Sequence, residues 1–159
     1  MDIAQLLALW AHTLAFVIVL GYYGLLGRVM LPALARSLDG PAQAAALMAI
    51  ERRALPLVLL SVVVFIVTGT YLLVIDPNYA GLGHFFASTW SVLMLIKHGL
   101  VIVLIVLGVV IDFDIRGLDL VMSDSDRASV LRRVRLSAEA ATGLGALVIL
   151  LTVAAQLTT

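Results

Sequence analysis

Four long apolar stretches, separated by more polar connections, dominate the pattern of hydrophobic and polar positions along the chain. They cover approximately residues 3–27, 54–75, 89–111 and 136–157. Each is long enough to cross a bilayer as a helix, which takes about 20 residues. Short connections favour antiparallel neighbours. The pattern therefore predicts an all-α fold, an integral membrane four-helix antiparallel bundle, in which residues 1–159 form a single domain.

The arginines occur in only two of the three connections between these stretches. The first connection, near 28–53, and the third, near 112–135, hold all of them, whereas the connection near 76–88 has neither lysine nor arginine. They are Arg28, Arg36, Arg52, Arg53, Arg116, Arg127, Arg132, Arg133 and Arg135. Because positively charged loops stay in the cytoplasm, we expect the two arginine-bearing connections to be cytoplasmic and both termini to lie outside.

The composition agrees with a membrane protein and excludes several functions. The chain is 63% hydrophobic and 13% charged, with a mean hydropathy of +1.15. Its formal net charge is zero, so no basic surface indicates nucleic acid. The absence of cysteine excludes disulfides, thiolate metal sites and cysteine nucleophiles. The sequence contains no Ser-His-Asp order, no Walker loop and no glycine fingerprint, which are motifs that would indicate an enzyme. Met1-Asp2-Ile3 lacks the positive start of a secretory signal, which predicts that the first stretch is a permanent helix.

Two histidines lie at matched depth in the first and third apolar stretches. His12 follows Ile3 by nine residues and His98 follows Thr89 by nine, which places both roughly 13–14 Å below the outer helix ends. The first and third helices of an up-down-up-down bundle are diagonal, so their separation exceeds the 8–10 Å or so between neighbours. Ionisable side chains inside a membrane mark functional sites. The pair therefore predicts a shared metal site.

Two metals fit this pair. A bis-histidine haem b would lie between the diagonal helices, since imidazole is a normal axial ligand of haem iron. A copper ion is the alternative, because Cu(I) accepts imidazole and thioether ligands and Met94 lies one turn from His98. His84, in the outer connection, is a further candidate ligand or a solvated side chain. The remaining alternative is that each histidine only forms a hydrogen bond between helices.

Lys97 and Glu139 are the other ionisable side chains within the apolar stretches. A charged lysine at a helix centre costs roughly 2.5–3.5 kcal/mol on insertion scales, a cost that snorkelling to the outer surface would reduce. Lys97 could neutralise a haem propionate, a carboxylate substrate or a lipid head group. It projects about 100° around the helix from His98. Glu139 lies one turn after Arg135 and is predicted to form an ion pair with it.

Most of the chain resembles the CopD-type membrane domain of bacterial copper-resistance proteins. The resemblance is carried by Thr68-Gly69-Thr70-Tyr71, by Leu93-Met94-Leu95-Ile96-Lys97, by the stretch from Arg133 to Leu144, and by His12 with Leu31-Pro32-Ala33-Leu34. It implies copper handling at the cytoplasmic (inner) membrane of a prokaryote. The chain has only part of the length of longer family members, and a histidine directly after Lys97 departs from the family pattern. HemJ-type protoporphyrinogen oxidases are a more distant resemblance, since they share a first-helix histidine, a third-helix lysine and haem b.

Three functions follow from these observations. The first is copper handling or transport, with His12 and His98 as ligands, assisted by Met94 or His84. The second is a haem b protein for electron transfer or haem-dependent oxidation, in which His12, His98 and Lys97 hold the haem; only this alternative is an enzyme, a membrane oxidoreductase. The third is a structural subunit without a cofactor. The expected partners are the lipid bilayer, a second copy of the chain, or a redox or copper-delivery partner on the outer side.

Overall fold

The computed structural model describes residues 2–79, 81, 83–84, 86, 88–120 and 123–158, most of which are helical. Helix α1, Ile3–Leu25, continues through a π-helical turn, Leu26–Met30, into helix α2, Leu31–Ser37. The other helices are α3, Gly40–Val74; α4, Thr89–Gly117, which ends in a 3-10 turn at Leu118–Leu120; and α5, Asp124–Gln156. The described residues contain no strand, so the predicted all-α class is confirmed.

Four continuous helical segments are long and apolar enough to cross a membrane, as the sequence predicts. They cover Ile3–Ser37, Gly40–Val74, Thr89–Leu120 and Asp124–Gln156. Each extends beyond its predicted apolar stretch at the end that carries the arginines. We call this the arginine end, and the opposite end, where α1 and α4 begin and α3 and α5 end, the termini end.

Local sequence signals explain where α3 and α5 begin. The Asp39 carboxylate accepts a hydrogen bond from the backbone N–H of Ala42 at 2.9 Å, and Pro41 lies in the first turn of α3, where a missing N–H costs nothing. Helix α3 then continues through Pro56 without interruption. Ser123 directly precedes α5, but its hydroxyl bonds to that of Ser125 and does not cap the helix.

The helices are arranged as two packed pairs. Helix α1 packs mainly against α3, and α4 packs mainly against α5. Helix α1 also packs against α5, whereas α3 and α4 touch over a much shorter length. Helices α1 and α4 therefore occupy diagonal positions, as predicted for the two helices that carry His12 and His98.

The best-packed part of the bundle lies at the arginine end. A cluster of buried apolar residues joins all the helices there: Tyr23, Leu26, Leu31, Ala44, Leu47, Ile111, Ile115, Leu118, Val134, Ala138 and Ala141. Burial of apolar surface and close packing hold this end together. Toward the termini end the buried cluster stops, and the helices enclose a cavity instead.

The outer surface of the bundle has ion pairs toward the arginine end and apolar side chains along the rest of the helices. Arg135 donates from Nε to the Glu139 carboxylate at 2.9 Å, which confirms the predicted pair, and Arg133 bonds to Asp114 of α4 at 2.6 Å. Along the rest of the helices, large apolar side chains such as Val63, Ile102 and Leu150 face outward. This surface suits contact with lipid chains.

Candidate metal centre at the termini end

A cavity of about 640 Å³ lies between the four long helices toward the termini end. Every long helix contributes to its wall. Among the lining residues are four that the sequence singles out: His12 from α1, and Met94, Lys97 and His98 from α4. The fold thus brings these four candidates to one cavity, although α1 and α4 are not direct neighbours.

The His12 ring is held tightly by α3. It stacks on the ring of Phe65, with centroids 4.2 Å apart and planes inclined by 17°. Its Nδ1 atom lies 3.0 Å from the backbone carbonyl oxygen of Phe65 and 3.1 Å from Oγ1 of Thr68. A carbonyl oxygen can only accept a hydrogen bond, so the bond assigns the proton to Nδ1. In this neutral tautomer Nε2 keeps its lone pair.

Thr68 and Gly69 lie against the His12 ring and limit where it can lie. The Thr68 hydroxyl donates to the carbonyl of Val64 at 2.6 Å, which leaves its lone pairs for the imidazole. A Cβ atom at Gly69 would lie only 2.7 Å from Cε1 of His12, so a larger residue would force the ring to move. In the sequence, these residues stand out only as part of the stretch Thr68-Gly69-Thr70-Tyr71, which carries the family resemblance. Their i, i+3 and i+4 spacing from Phe65 was the signal that they share one helix face.

The Nδ1 atom of His98 also bonds to a backbone carbonyl, but to one within its own helix. Its Nδ1 atom lies 2.6 Å from the backbone carbonyl oxygen of Met94, one turn earlier in α4. The proton is therefore on Nδ1, and Nε2 again keeps its lone pair. Histidines that bind metals almost always donate the other ring N–H to a carbonyl or carboxylate, which fixes the ring and its tautomer. Both His12 and His98 meet this condition.

Lys97 and Asp76 supply the charge of the cavity. Lys97 is half-buried, and its charge is attracted by the carboxylate of Asp76, which follows α3 and also lines the cavity. Lys97 and His98 both reach the cavity despite being consecutive, because the space between the helix pairs is wide. The carboxylate of Asp76 therefore offsets part of the charge of Lys97 from the opposite helix pair.

Trp90 lies at the cavity, whereas His84 lies outside it. Only 6% of Trp90 is exposed, and the residue lines the cavity. His84 is exposed in the connection between α3 and α4 and is not among the residues that line the cavity. Among the described residues, no group of three or more His, Cys, Asp or Glu side chains is placed to hold a metal. The available ligands are therefore two imidazoles, with the Met94 thioether on the same cavity wall.

The sequence model of one family, described as copper resistance protein D, matches residues 48–155. The chain belongs to the CopD family. With its four membrane-spanning helices it is a multi-pass membrane protein of this copper-resistance family. No curated protein and no solved structure matches the chain. The CopD match includes Phe65, Gly69, Met94 and His98 and begins within α3, so His12 lies outside it.

Proposed function

We propose that this CopD-family protein binds a copper ion as its cargo in the termini-end cavity. The Nε2 atoms of His12 and His98 are the ligands, and the Met94 thioether is available as a third. The observation that carries the proposal is that both imidazoles line one cavity, each with Nδ1–H tied to a backbone carbonyl. With the arginine-bearing connections in the cytoplasm, as the sequence predicts, this cavity would lie in the outer half of the membrane and copper would enter it from outside.

The ligand types favour Cu(I) over harder cations. Imidazole and thioether groups suit Cu(I), whereas Mg²⁺ and Ca²⁺ require several oxygen ligands. Among the described residues, Asp76 is the acidic side chain that lines the cavity, and it already faces the charge of Lys97. Lys97 repels a bound cation, so the site holds copper less tightly than two imidazoles would without it. Such a site suits an ion that is handed on.

Titration of the purified protein with Cu(I) tests this function. Under reducing conditions and in competition with a chromophoric Cu(I) chelator, we expect one copper ion to bind per chain. The Cu(I) form adds no visible absorption band, because its d shell is full. Mg²⁺ added in the same assay is expected not to compete. A protein that leaves all of the copper on the chelator would contradict the proposal.

The size of the cavity supports haem b as a second candidate. A volume of about 640 Å³ is far more than a single copper ion requires and lies within the range of sites for large ligands. His12 and His98 would hold the haem iron, and Lys97 would face a propionate. The haem would supply electron transfer or oxidation. The absorption spectrum of the protein as purified separates the candidates, since a Soret band that disappears in His12→Ala would favour haem.

A further inference from the structure

A second cavity, of about 140 Å³, lies between the helices toward the arginine end. Its walls are mostly apolar, and the described residues that line it include two acidic side chains, Glu51 and Asp112, but no basic one. One buried water molecule needs only about 10–15 Å³, so the cavity has room for a larger guest. It is much smaller than the termini-end cavity and therefore suits a small organic group.

The second cavity opens toward lipid between α3 and α4. Leu59 of α3 and Val109 of α4 line it, and about half of each residue is exposed, 55% and 49% respectively. The two helices touch only over a short length, which leaves the opening between them. An amphipathic molecule that is dissolved in the bilayer can therefore reach the cavity from the side.

Glu51 brings to this cavity a negative charge that lacks a counter-ion. Only 6% of the residue is exposed, and the Tyr22 hydroxyl donates a hydrogen bond to its carboxylate. In the described part of the chain no basic side chain forms an ion pair with it. Arg116 attracts Glu51 from a distance, but it is bonded to Asp112 at 2.7 Å. Two carboxylates thus share one guanidinium, and a buried charge without a partner is costly.

Tyr23 is an independent sign that this cavity accepts a polar ligand. Only 8% of the residue is exposed, and its hydroxyl has no hydrogen-bond partner among the described residues. The hydroxyl lies against Gly108, where a side chain would collide with it, and both residues line the cavity. Buried hydroxyl groups are nearly always hydrogen-bonded, because an unmade bond costs about 1–3 kcal/mol. The Tyr23 oxygen is therefore available to a ligand in the cavity.

We propose that the second cavity binds a small amphipathic amine that enters from the bilayer. The ammonium group bonds to the Glu51 carboxylate and the Tyr23 oxygen, and the alkyl part lies along the apolar walls of α3 and α4. An ammonium group has three N–H donors and no acceptor, which matches two oxygens that can accept. Its charge supplies the missing counter-ion, and hydrogen bonds between ionised groups are the stronger ones.

Two other classes of ligand fit this cavity less well. A metal ion would need more ligands, and among the described residues no group of three or more His, Cys, Asp or Glu side chains could hold one. The amine head group of a phospholipid carries a phosphate, which would lie near two carboxylates without a basic side chain in the lining. The amine site goes beyond the proposed copper function and does not depend on it, because its ligands are not those of the copper ion.

Equilibrium dialysis of radiolabelled hexylammonium tests this site. The full chain is placed in phosphatidylcholine nanodiscs, and empty nanodiscs give the background. We expect saturable binding of one hexylammonium per chain, with hexanol, which has the same alkyl chain but no charge, at least about tenfold weaker as a competitor. Glu51→Gln is expected to weaken binding by about tenfold or more, since it removes a charge-assisted hydrogen bond. Tyr23→Phe, which removes one oxygen atom, is expected to weaken it by about threefold or more.

Glu139→Gln is the matched control, since Glu139 is the other glutamate of the chain and does not line the cavity. Its hexylammonium affinity is expected to lie within about twofold of wild type. The site would be overturned by a wild-type protein without saturable binding, by hexanol that competes equally, or by unchanged binding in both Glu51→Gln and Tyr23→Phe. Tyr23→Phe decides the matter if Glu51→Gln fails to fold. Loss of hexylammonium binding when phosphatidylethanolamine is added to the nanodiscs would overturn the free amine in favour of a lipid head group.

Discussion

Replacement of either His12 or His98 by alanine is expected to lower the Cu(I) affinity of the protein by about 100-fold or more. Each substitution removes one of the two imidazoles that line the termini-end cavity, and with it one proposed Nε2 ligand. Changes to residues that merely hold a ligand already cost about 10–100-fold in metal affinity, so loss of a ligand should cost at least as much. The measurement is competition with a Cu(I) chelator, in the assay used for the wild-type protein.

The double variant shows whether the two histidines bind the same ion. If they share it, the loss in His12→Ala/His98→Ala will be far smaller than the sum of the two single losses in free energy, because either substitution already destroys the site. His84→Ala is the control, since His84 is exposed outside the cavity, and its affinity is expected to match wild type within about twofold. Losses that add fully would mean two separate sites.

Gly69→Ala is expected to weaken copper binding by about 10–100-fold, although Gly69 contributes no ligand. The added methyl group would lie 2.7 Å from Cε1 of His12, which is too close for two carbon atoms. The imidazole cannot move away without loss of its stack on Phe65 or of its hydrogen bond to the Phe65 carbonyl. The tautomer and the direction of Nε2 both depend on that bond. The chelator competition assay again gives the affinity.

Gly143→Ala provides the matched control for this substitution. Gly143 lies in the membrane-spanning part of α5, and a Cβ atom there would have nothing within 4 Å. The variant changes the same chemical group in a similar environment and is expected to bind copper as wild type does. Thermal unfolding of both variants separates a local effect on His12 from loss of the fold. If Gly69→Ala kept full affinity, the contacts of the His12 ring with α3 would not contribute to copper binding.

The features of the fold that were predictable are those that depend on hydrophobicity along the chain. The four apolar stretches and the diagonal placement of α1 and α4 follow from the length and order of the helices. The stretch from Gly40 to Arg53 is rich in alanine, which favours a helix without being strongly apolar, so α3 begins well before the predicted membrane stretch. His12 and His98 line one cavity, which agrees with the depth expected for each from residue count.

Helix rotation and side-chain contacts were not predictable, and they decide the details of the site. The stack of His12 on Phe65 depends on how α1 and α3 are turned toward each other. Tryptophan is enriched at membrane interfaces, but Trp90 lines the cavity because of how α4 packs. In the sequence, Glu51 is a charged residue next to Arg52 and Arg53, which suggests an exposed side chain. Only the fold shows that it is buried. Such contacts arise between segments far apart in the chain.

The central claim is that His12 and His98 bind the same copper ion, and X-ray absorption spectroscopy of the Cu(I)-loaded protein tests it most directly. The account predicts two imidazole nitrogens in the first shell of the ion, with the outer-shell scattering of imidazole rings. It also predicts a sulfur contribution that is lost in Met94→Leu. In His98→Ala the imidazole contribution should fall to one ring. A copper ion surrounded by oxygen alone, or one that keeps both imidazoles in His98→Ala, would contradict the account.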